Sequence, residues 1–505
     1  MNIATLLAAG GRRAPSRTAW QYGDRSATYA QLADRVAALA AGLRRLGLKP
    51  GDRVALLLPN SPELVEALFA AMWGGFVAVP LNWHLHPQEV AWIVRHCAAG
   101  AIVVAAETES VVDAFDTDLH VLHTEHGYES VFGEGRAPLA QVEPDDPAWL
   151  FYTSGTTGRP KGATLTHRNL LAMTLNYLAD IDPIAPDSVF VHAAPLTHGS
   201  GLYLLPALGR AATNVISTAR SFDPDDYLTL LARHRATHAA FMAPTMLKRL
   251  LVASDPASHD LSALRSIVIG GAPLYRTDLR AAVAAFGPII TQIYGQGESP
   301  MTITAMPPPR LEDFADDTER LGSCGRAFVG VQVRVVDGSS DGSGEGSDVE
   351  LPPGVDGEVC VRGDVVMRGY WDDPDATAKA LRGGWLHTGD IGHLDADGFL
   401  HLTDRAKDVI ITGGSNVYPR EVEEVLLTHP GVREVAVVGR PDPDWGESVC
   451  AFVVAEAGAE VDATALVAHC KGQLASFKKP KDVVFIDALP KSAAGKILKR
   501  ELRAG

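Results

Sequence analysis

Apolar and polar positions along the chain fall into blocks, and the blocks switch between two periods. Leu32, Val36, Leu39, Leu43 and Leu46 recur at spacings of 4, 3, 4 and 3, the period of one buried helix face. Thr28 and Gln31 stand where a capping box belongs, so this helix starts just after Thr28 and ends near Gly47. Residues 54–58 (VALLL) then form an uninterrupted apolar run before Pro59. A run without polar alternation is a strand covered on both faces. Ser61-Pro62 opens a second helix, with Ser61 as cap and Pro62 at the first helical position. Residues 76–79 are the next strand. Buried strands separated by helices predict an α/β fold with mostly parallel sheets.

The same texture continues through residues 190–193, 238–242, 266–270 and 289–294, all short apolar strands separated by helical stretches. Beyond about residue 325 it changes. Residues 331–336 and 358–362 are strands close in sequence, which predicts a β-rich subdomain over about 325–404. Asp337 to Ser347 (DGSSDGSGEGS) between them is low in complexity and predicts a mobile surface loop without a function of its own. A second change falls near Asp404-Arg405-Ala406-Lys407-Asp408. After it come a helix over 419–427, strands over 434–438 and 449–454, and a helix over 462–476 with Asp462 as N-cap. The expected division is an N-terminal domain of residues 1–404 and a small α+β C-terminal domain of residues 405–505.

Length agrees with more than one unit, since 505 residues exceed the ~150 of a typical domain. The formal net charge of −16 argues against a general binder of nucleic acid or anionic membrane, which needs basic patches. Five cysteines with no CxxC spacing fit a reducing cytoplasm without a disulfide framework. The longest apolar run, residues 67–81, is broken by Gly74-Gly75 and ends around Pro80, short of the ~20 residues a membrane span needs. Arg12-Arg13 follow the N-terminal apolar stretch rather than precede it, the wrong order for a signal peptide. The expectation is a soluble cytoplasmic protein, monomer or homodimer.

The most informative segment is Tyr152-Thr153-Ser154-Gly155-Thr156-Thr157-Gly158-Arg159-Pro160-Lys161-Gly162. It lies between two apolar strands. Glycines let backbone N–H groups converge, hydroxyls add donors and Lys161 adds positive charge, the ingredients of a polyphosphate cradle. It is not a Walker A loop, because no Gly-Lys-Ser/Thr occurs at the required spacing. The plain alternative is a Gly/Thr-rich hairpin turn.

This segment strongly resembles the phosphate loop of the adenylate-forming superfamily, which holds acyl-CoA synthetases, luciferases and peptide-synthetase adenylation domains. Further segments resemble the family's motifs in the family's order. They are residues 194–201 (APLTHGSG), Gly270-Gly271-Ala272-Pro273, residues 293–298 (IYGQGE), residues 385–390 (WLHTGD), Asp404-Arg405-x-Lys407-Asp408 and residues 490–496 (PKSAAGK). The resemblance covers essentially the whole chain. It implies a two-step reaction. A carboxylate attacks the α-phosphate of ATP, giving acyl-adenylate and pyrophosphate; a thiol, usually that of coenzyme A, then displaces AMP.

The resemblance also implies roles. Thr153, Ser154, Gly155, Thr156, Thr157, Gly158 and Lys161 cradle phosphate. Gly271, Ala272, Pro273, Gln292, Tyr294 and Gly295 lie on the adenine side, with Tyr294 as a stacking plate. Asp390 and Arg405 bind ribose, Glu298 holds Mg²⁺, and Lys496 reaches the carboxylate and a phosphate oxygen. His198 gates the acyl pocket, whose wall includes Gly199, Leu202, Phe241 and Gln296. Lys407 is the hinge of a C-terminal domain that rotates between half-reactions. Gly413, Gly414 and Ser415 approach the pantetheine, and Trp445, Phe477 and Lys479 are candidates for the coenzyme A nucleotide. Composition alone reads Lys496, among Lys491 and Lys499, as a solvated basic tail, and Trp445 and Lys479 as ordinary packing and solvated residues. One position departs from the family: Gly297 stands where a Thr precedes the glutamate, which puts that hydroxyl's phosphate contact in doubt, with Thr302 or a water as substitute.

The pocket segments carry small and apolar residues and no arginine, which favours an uncharged acid, fatty or aromatic, because a second carboxylate needs a buried cation. The expected function is an AMP-forming acyl- or aryl-CoA synthetase. The competing readings are an enzyme loading a carrier protein and a nucleotide-binding regulator without catalysis.

Overall fold

The computed structural model describes residues 1–115, 119–133, 135–153, 160–272, 274–316, 320–337, 348–405, 408–412, 415–442, 445–474, 478–491 and 497–504. The expected low-complexity loop lies outside them except for Asp337.

Helix Tyr29–Arg45 starts on the capping box its sequence dictates: Gln31 N–H donates to Thr28 Oγ1 at 3.2 Å and Thr28 N–H to Gln31 Oε1 at 2.8 Å. Its predicted stripe faces inward, with Leu32, Val36, Leu39 and Leu43 all buried. Helix Pro62–Gly74 is capped by Ser61, which accepts from Leu64 N–H at 3.2 Å, and ends on Gly75 at φ 77°. The two helices pack on each other and share the largest apolar core with residues of both large sheets.

The first large sheet has seven strands in the order Gly369–Tyr370, Lys161–Thr166, Pro147–Thr153, Val77–Pro80, Arg53–Leu57, Ala99–Val104 and His120–His123. The last five are parallel, and the first three pair antiparallel. The second has nine strands, whose six central members, Ile290–Gln296, Ser266–Ile269, His238–Met242, Val189–His192, Thr213–Ile216 and Thr18–Tyr22, are parallel. Antiparallel strands close its two ends, Ser299–Met306 and Arg326–Ala327 at one and Arg25–Thr28 at the other. Mixed α/β architecture with mostly parallel sheets is therefore what the apolar runs build.

The segment beyond residue 325 forms a four-stranded antiparallel sheet of Gln332–Val336, Gly357–Arg362, Leu386–Leu394 and Leu400–Arg405. Two short strands leave it. Arg326–Ala327 extends the nine-stranded sheet, and Gly369–Tyr370 extends the seven-stranded one. Residues 410–485 hold a five-stranded sheet around the long hairpin of Val432–Asp442 and Gly446–Ala455. Helix Pro419–Leu427 lies where the pattern puts it. Asp462 caps helix Ala463–Lys471 through Ala465 N–H at 2.7 Å, and that helix ends at Gly472 rather than running to residue 476. All five cysteines are buried free thiols. Among the described residues, no helix is long and apolar enough to cross a membrane.

Candidate active site

The site gathers on one turn. Strand Ile290–Gln296 runs parallel to Ser266–Ile269, then reverses through Gly297-Glu298 into the antiparallel strand Ser299–Met306. Gly295 is required there: a Cβ on it would stand 2.6 Å from the Met301 backbone nitrogen. The carboxyl end of a parallel strand is where open α/β sheets bind ligands.

Three clusters meet this turn. The first surrounds Asp390, a buried carboxylate on strand Leu386–Leu394. The Tyr294 hydroxyl donates to its Oδ2 at 2.6 Å, and Gln296 Nε2 donates to the same oxygen at 2.6 Å and to Thr388 O at 3.0 Å. Burial, reinforced by Asp390, pushes the Tyr294 hydroxyl well up, so it stays a donor. Arg405 pairs with Asp390 in the strand register. Gln296, expected in the acyl pocket wall, spends its amide N–H groups on Asp390 and Thr388. Gln292 is buried two residues before Tyr294 on the same strand, its Oε1 without a partner among the described residues and its Nε2 4.0 Å from Cys324 Sγ.

The second cluster surrounds Glu298. The Tyr370 hydroxyl donates to Glu298 Oε1 at 2.8 Å, and Lys161 Nζ lies 5.0 Å from the Tyr370 ring centroid. Burial, then Glu298, pushes that hydroxyl up as well. The Glu298 backbone carbonyl accepts from Met367 N–H at 2.7 Å. Register explains the meeting: Lys161 opens the strand paired opposite Thr153, and Tyr370 pairs with Ala163 two residues on. Gly297 closes the gap, since a Cβ there would come within 2.5 Å of Thr153 Cγ2 and 2.8 Å of Phe151 Cδ1. Thr302 is no substitute hydroxyl, because it is fully buried and donates to Pro300 O at 3.2 Å.

The third cluster is apolar. Phe241 lies against Gly199 and Gly271, whose Cβ positions would fall 2.9 and 3.5 Å from its ring. Gly271 has φ 84°, a conformation open to glycine. Tyr203 packs on Phe241 with centroids 5.7 Å apart, and Leu202 is buried in the same short helix, Gly199–Leu202. His198 is exposed, 4.9 Å from the Phe151 ring that also touches Gly297. Ala272 is half-buried beside Gly271.

Two residues that sequence reasoning missed hold these clusters together. Tyr370 is one. Asn60 is the other: its Oδ1 accepts from Leu196 N–H at 2.7 Å and its Nδ2 donates to Ala194 O at 2.9 Å, which ties the His198 loop to the end of strand Arg53–Leu57. Asn60 sits one residue beyond Pro59 at the carboxyl end of a buried strand, and that placement is the one signal it carried.

Ser154, Gly155, Thr156, Thr157, Gly158, Pro273, Lys407, Gly413, Gly414, Phe477 and Lys496 lie outside the described residues, as do the side chains of Arg405 and Ser415. Trp445 is 58% exposed on the C-terminal hairpin and Lys479 is half-buried, both far in sequence from the three clusters.

Residues 7–371 match the family model described as AMP-binding enzyme, and residues 421–496 match the AMP-binding enzyme C-terminal domain. A feruloyl-CoA synthase of an Amycolatopsis species is 40% identical over 494 residues, 97% of this chain and 96% of that protein. A fatty acid–[acyl-carrier-protein] ligase of Streptomyces coeruleorubidus is 36% identical, covering 95% of this chain and 91% of its own. The solved structure of ATP-bound MatB from Rhodopseudomonas palustris superposes with a TM-score of 0.88 at 33% identity, over 100% of this chain and 99% of the other. The chain belongs to the AMP-binding enzyme family, within the adenylate-forming superfamily, and is an AMP-forming acid–thiol ligase.

Proposed function

We propose that the chain converts an uncharged carboxylic acid with an apolar body, aromatic or fatty, into its coenzyme A thioester. In the first half-reaction a carboxylate oxygen of the acid attacks the α-phosphorus of ATP. The bond to the β-phosphate oxygen breaks, pyrophosphate leaves, and an acyl-adenylate forms. In the second, a thiolate attacks the acyl carbon and AMP departs.

The observation that carries this reading is the convergence on the turn of residues 294–298. A carboxylate that accepts from Tyr294 and Gln296, a second carboxylate bonded to Tyr370 under Lys161, and an apolar cluster around Phe241 gather about one five-residue segment. Asp390, a buried carboxylate whose Oδ2 accepts from Tyr294 and Gln296, suits ribose hydroxyls. Glu298, half-buried and joined to Lys161 through the Tyr370 ring, offers a hard oxygen ligand of the kind Mg²⁺ takes. When bound there, the ion would neutralise triphosphate charge as the anionic acid approaches. Lys161 and Lys496 are the cations assigned to the phosphates and the incoming carboxylate. Phe241, half-buried against Gly199 and Gly271, presents ring surface to the acid, and the fully buried Tyr203 packs on it. The segment of residues 405–505 acts as a mobile cap that turns about Lys407, so that Gly413, Gly414 and Ser415 face the pantetheine in the second step.

A pyrophosphate-release screen across short, medium, long and aromatic monocarboxylic acids tests the acid. Aromatic and medium-chain acids are expected to lead, and dicarboxylates to fail. Preference for a dicarboxylate would overturn the uncharged pocket. The likeness to an acyl-carrier-protein ligase supplies a second thiol to compare. AMP release that depends on free coenzyme A supports the first reading, and release that needs phosphopantetheinylated carrier replaces it.

A further inference from the structure

The segment that presents Asp390 is not a regular strand. Gly357–Arg362 and Leu386–Leu394 pair antiparallel, but the register shifts between Glu358, opposite Ile391, and Cys360, opposite His387. Thr388, Gly389 and Asp390 therefore bulge out of the ladder. Bulges of this kind re-aim a side chain. Gly389 takes φ 68°, which leaves its backbone intrinsically loose without outside restraint.

The restraint comes from the neighbouring strand. Thr388 Oγ1 donates to Val359 O at 2.7 Å and accepts from Asp390 N–H at 3.1 Å. Glu358 does more, because its two oxygens grip both sides of Thr388. Oε2 lies 2.9 Å from His387 Nδ1, and Oε1 accepts from Gly389 N–H at 3.2 Å. Burial raises the Glu358 carboxyl, but His387, Arg382 and the Gly389 N–H outweigh it and hold the group below its ordinary range. It is thus an anion at neutral pH and a strong acceptor.

By donor type alone, Glu358, Cys360 and His387 are a carboxylate, a thiol and an imidazole within 4.8 Å of one another. Two facts turn that cluster away from a cation. Arg382 already places its guanidinium 3.2 Å from Asp348 and 3.6 Å from Glu358. Burial also pushes the Cys360 thiol up to about 12, against the thiolate a metal needs. The cluster is instead a hydrogen-bonded brace directed at the bulge.

We propose that Glu358 is a positioning residue for nucleotide recognition: it clamps the bulge of residues 388–390 so that Asp390 meets the sugar hydroxyls, without touching the nucleotide itself. This rests on the reading of Asp390 as the ribose ligand. The carboxylate of Asp390 accepts from Tyr294 and Gln296, its own N–H donates to Thr388 Oγ1, and Glu358 grips the N–H of Gly389 just before it. Removing that last grip frees Gly389, and the loss falls on the contacts of Asp390 with the sugar.

Pyrophosphate release with ATP and with 2′,3′-dideoxyATP, compared in the wild type, E358A, E358Q and D390N, tests it. One hydrogen bond to a charged carboxylate is worth roughly 10- to 100-fold, so the pair gives the wild type a preference for ATP of at least about 10-fold in kcat/KM. In E358A that ratio is expected to collapse toward the D390N value, with KM for the acid unchanged. E358Q, which keeps an acceptor for Gly389 N–H, is expected to retain an intermediate ratio. If E358A and E358Q slow both nucleotides alike while D390N loses the preference, the clamp is overturned and the ribose reading stands. If D390N keeps the preference, the ribose reading falls and the clamp with it.

Discussion

At the scale of single residues, Gly297 accounts for the one departure from the family's motif. The space a side chain at 297 would fill already holds the Thr153 methyl and the Phe151 ring. Phe151 is buried, stacks toward Trp149 and touches His198, so it has little freedom to retreat. Gly297→Thr is therefore expected to cost about 1–3 kcal/mol by overpacking, seen as a lower thermal midpoint and a raised KM for ATP. Phe151→Leu in the same chain should recover part of it, and a double-mutant cycle with no coupling would remove the packing explanation. Lys496 carries a second expectation at this scale. Lys496→Ala should slow pyrophosphate release ~10²–10³-fold, the loss typical of removing one oriented donor, and spare thioester formation from supplied acyl-adenylate. Equal loss in both steps would take the adenylation role from Lys496. Glu298, Asp390, Tyr294 and Lys161 were legible in the chain because a motif marks each by neighbours a few residues away. Tyr370 and Asn60 were not. Tyr370 reaches Glu298 only because Gly369–Tyr370 pairs with a strand some two hundred residues earlier, and nothing local to it announces that partner.

At the scale of elements, apolar runs located the parallel strands because a strand buried on both faces needs no alternation, and that signal is local. The antiparallel details escaped it. A two-residue strand has no period, and the register shift that presents Asp390 falls opposite Glu358 and Cys360 across the ladder, far from it in sequence. The buried strands also carry polar residues with a pH consequence. His192, at the end of strand Val189–His192, is fully buried between Ser200 Oγ at 3.1 Å and Asn214 Oδ1 at 3.0 Å. Burial lowers its pKa to about 4 despite Asn214 and Ser200. His167 opens helix His167–Asp180, accepts from Ile3 N–H at 3.1 Å, and is likewise lowered by burial to about 4. Both are held neutral in the fold but protonate near 6.5 when unfolded. Below pH 6.5 the unfolded chain thus binds more protons, and stability falls as pH drops from 6.5 toward 4. Each histidine contributes about 3 kcal/mol to that loss across the full window. His192→Gln should flatten the fall of the thermal midpoint over pH 6.5–4, and an unchanged slope would show that other groups carry it.

At the scale of the whole molecule, helix Pro419–Leu427 carries most of the described polar contacts that seat the C-terminal unit on the body. From Pro419–Leu427, Arg420 is buried and donates to Leu402 O at 3.2 Å and Gly322 O at 3.4 Å. Glu423 accepts from the Tyr275 hydroxyl at 2.9 Å, and Glu424 faces Arg276 at 4.0 Å. Lys248 adds a hydrogen bond to the Arg433 carbonyl. Among the described residues these contacts are polar, like those of interfaces between domains that move rather than those of a permanent core. If the cap turns between half-reactions, this seating serves one of them and must be released for the other. Arg420 is its central bond, because a guanidinium taken out of water and paired with two carbonyls is lost only at a cost. Arg420→Ala, with Tyr275→Phe as the milder variant, is therefore expected to move the two half-reactions in opposite directions. The step served by this seating should slow several-fold, and the other should quicken as its orientation gains population. Pyrophosphate release and thioester formation from supplied acyl-adenylate read the two separately. A parallel fall in both, matched by a lower thermal midpoint, would mean that Arg420 only holds the fold together and that the seating is not part of the cycle.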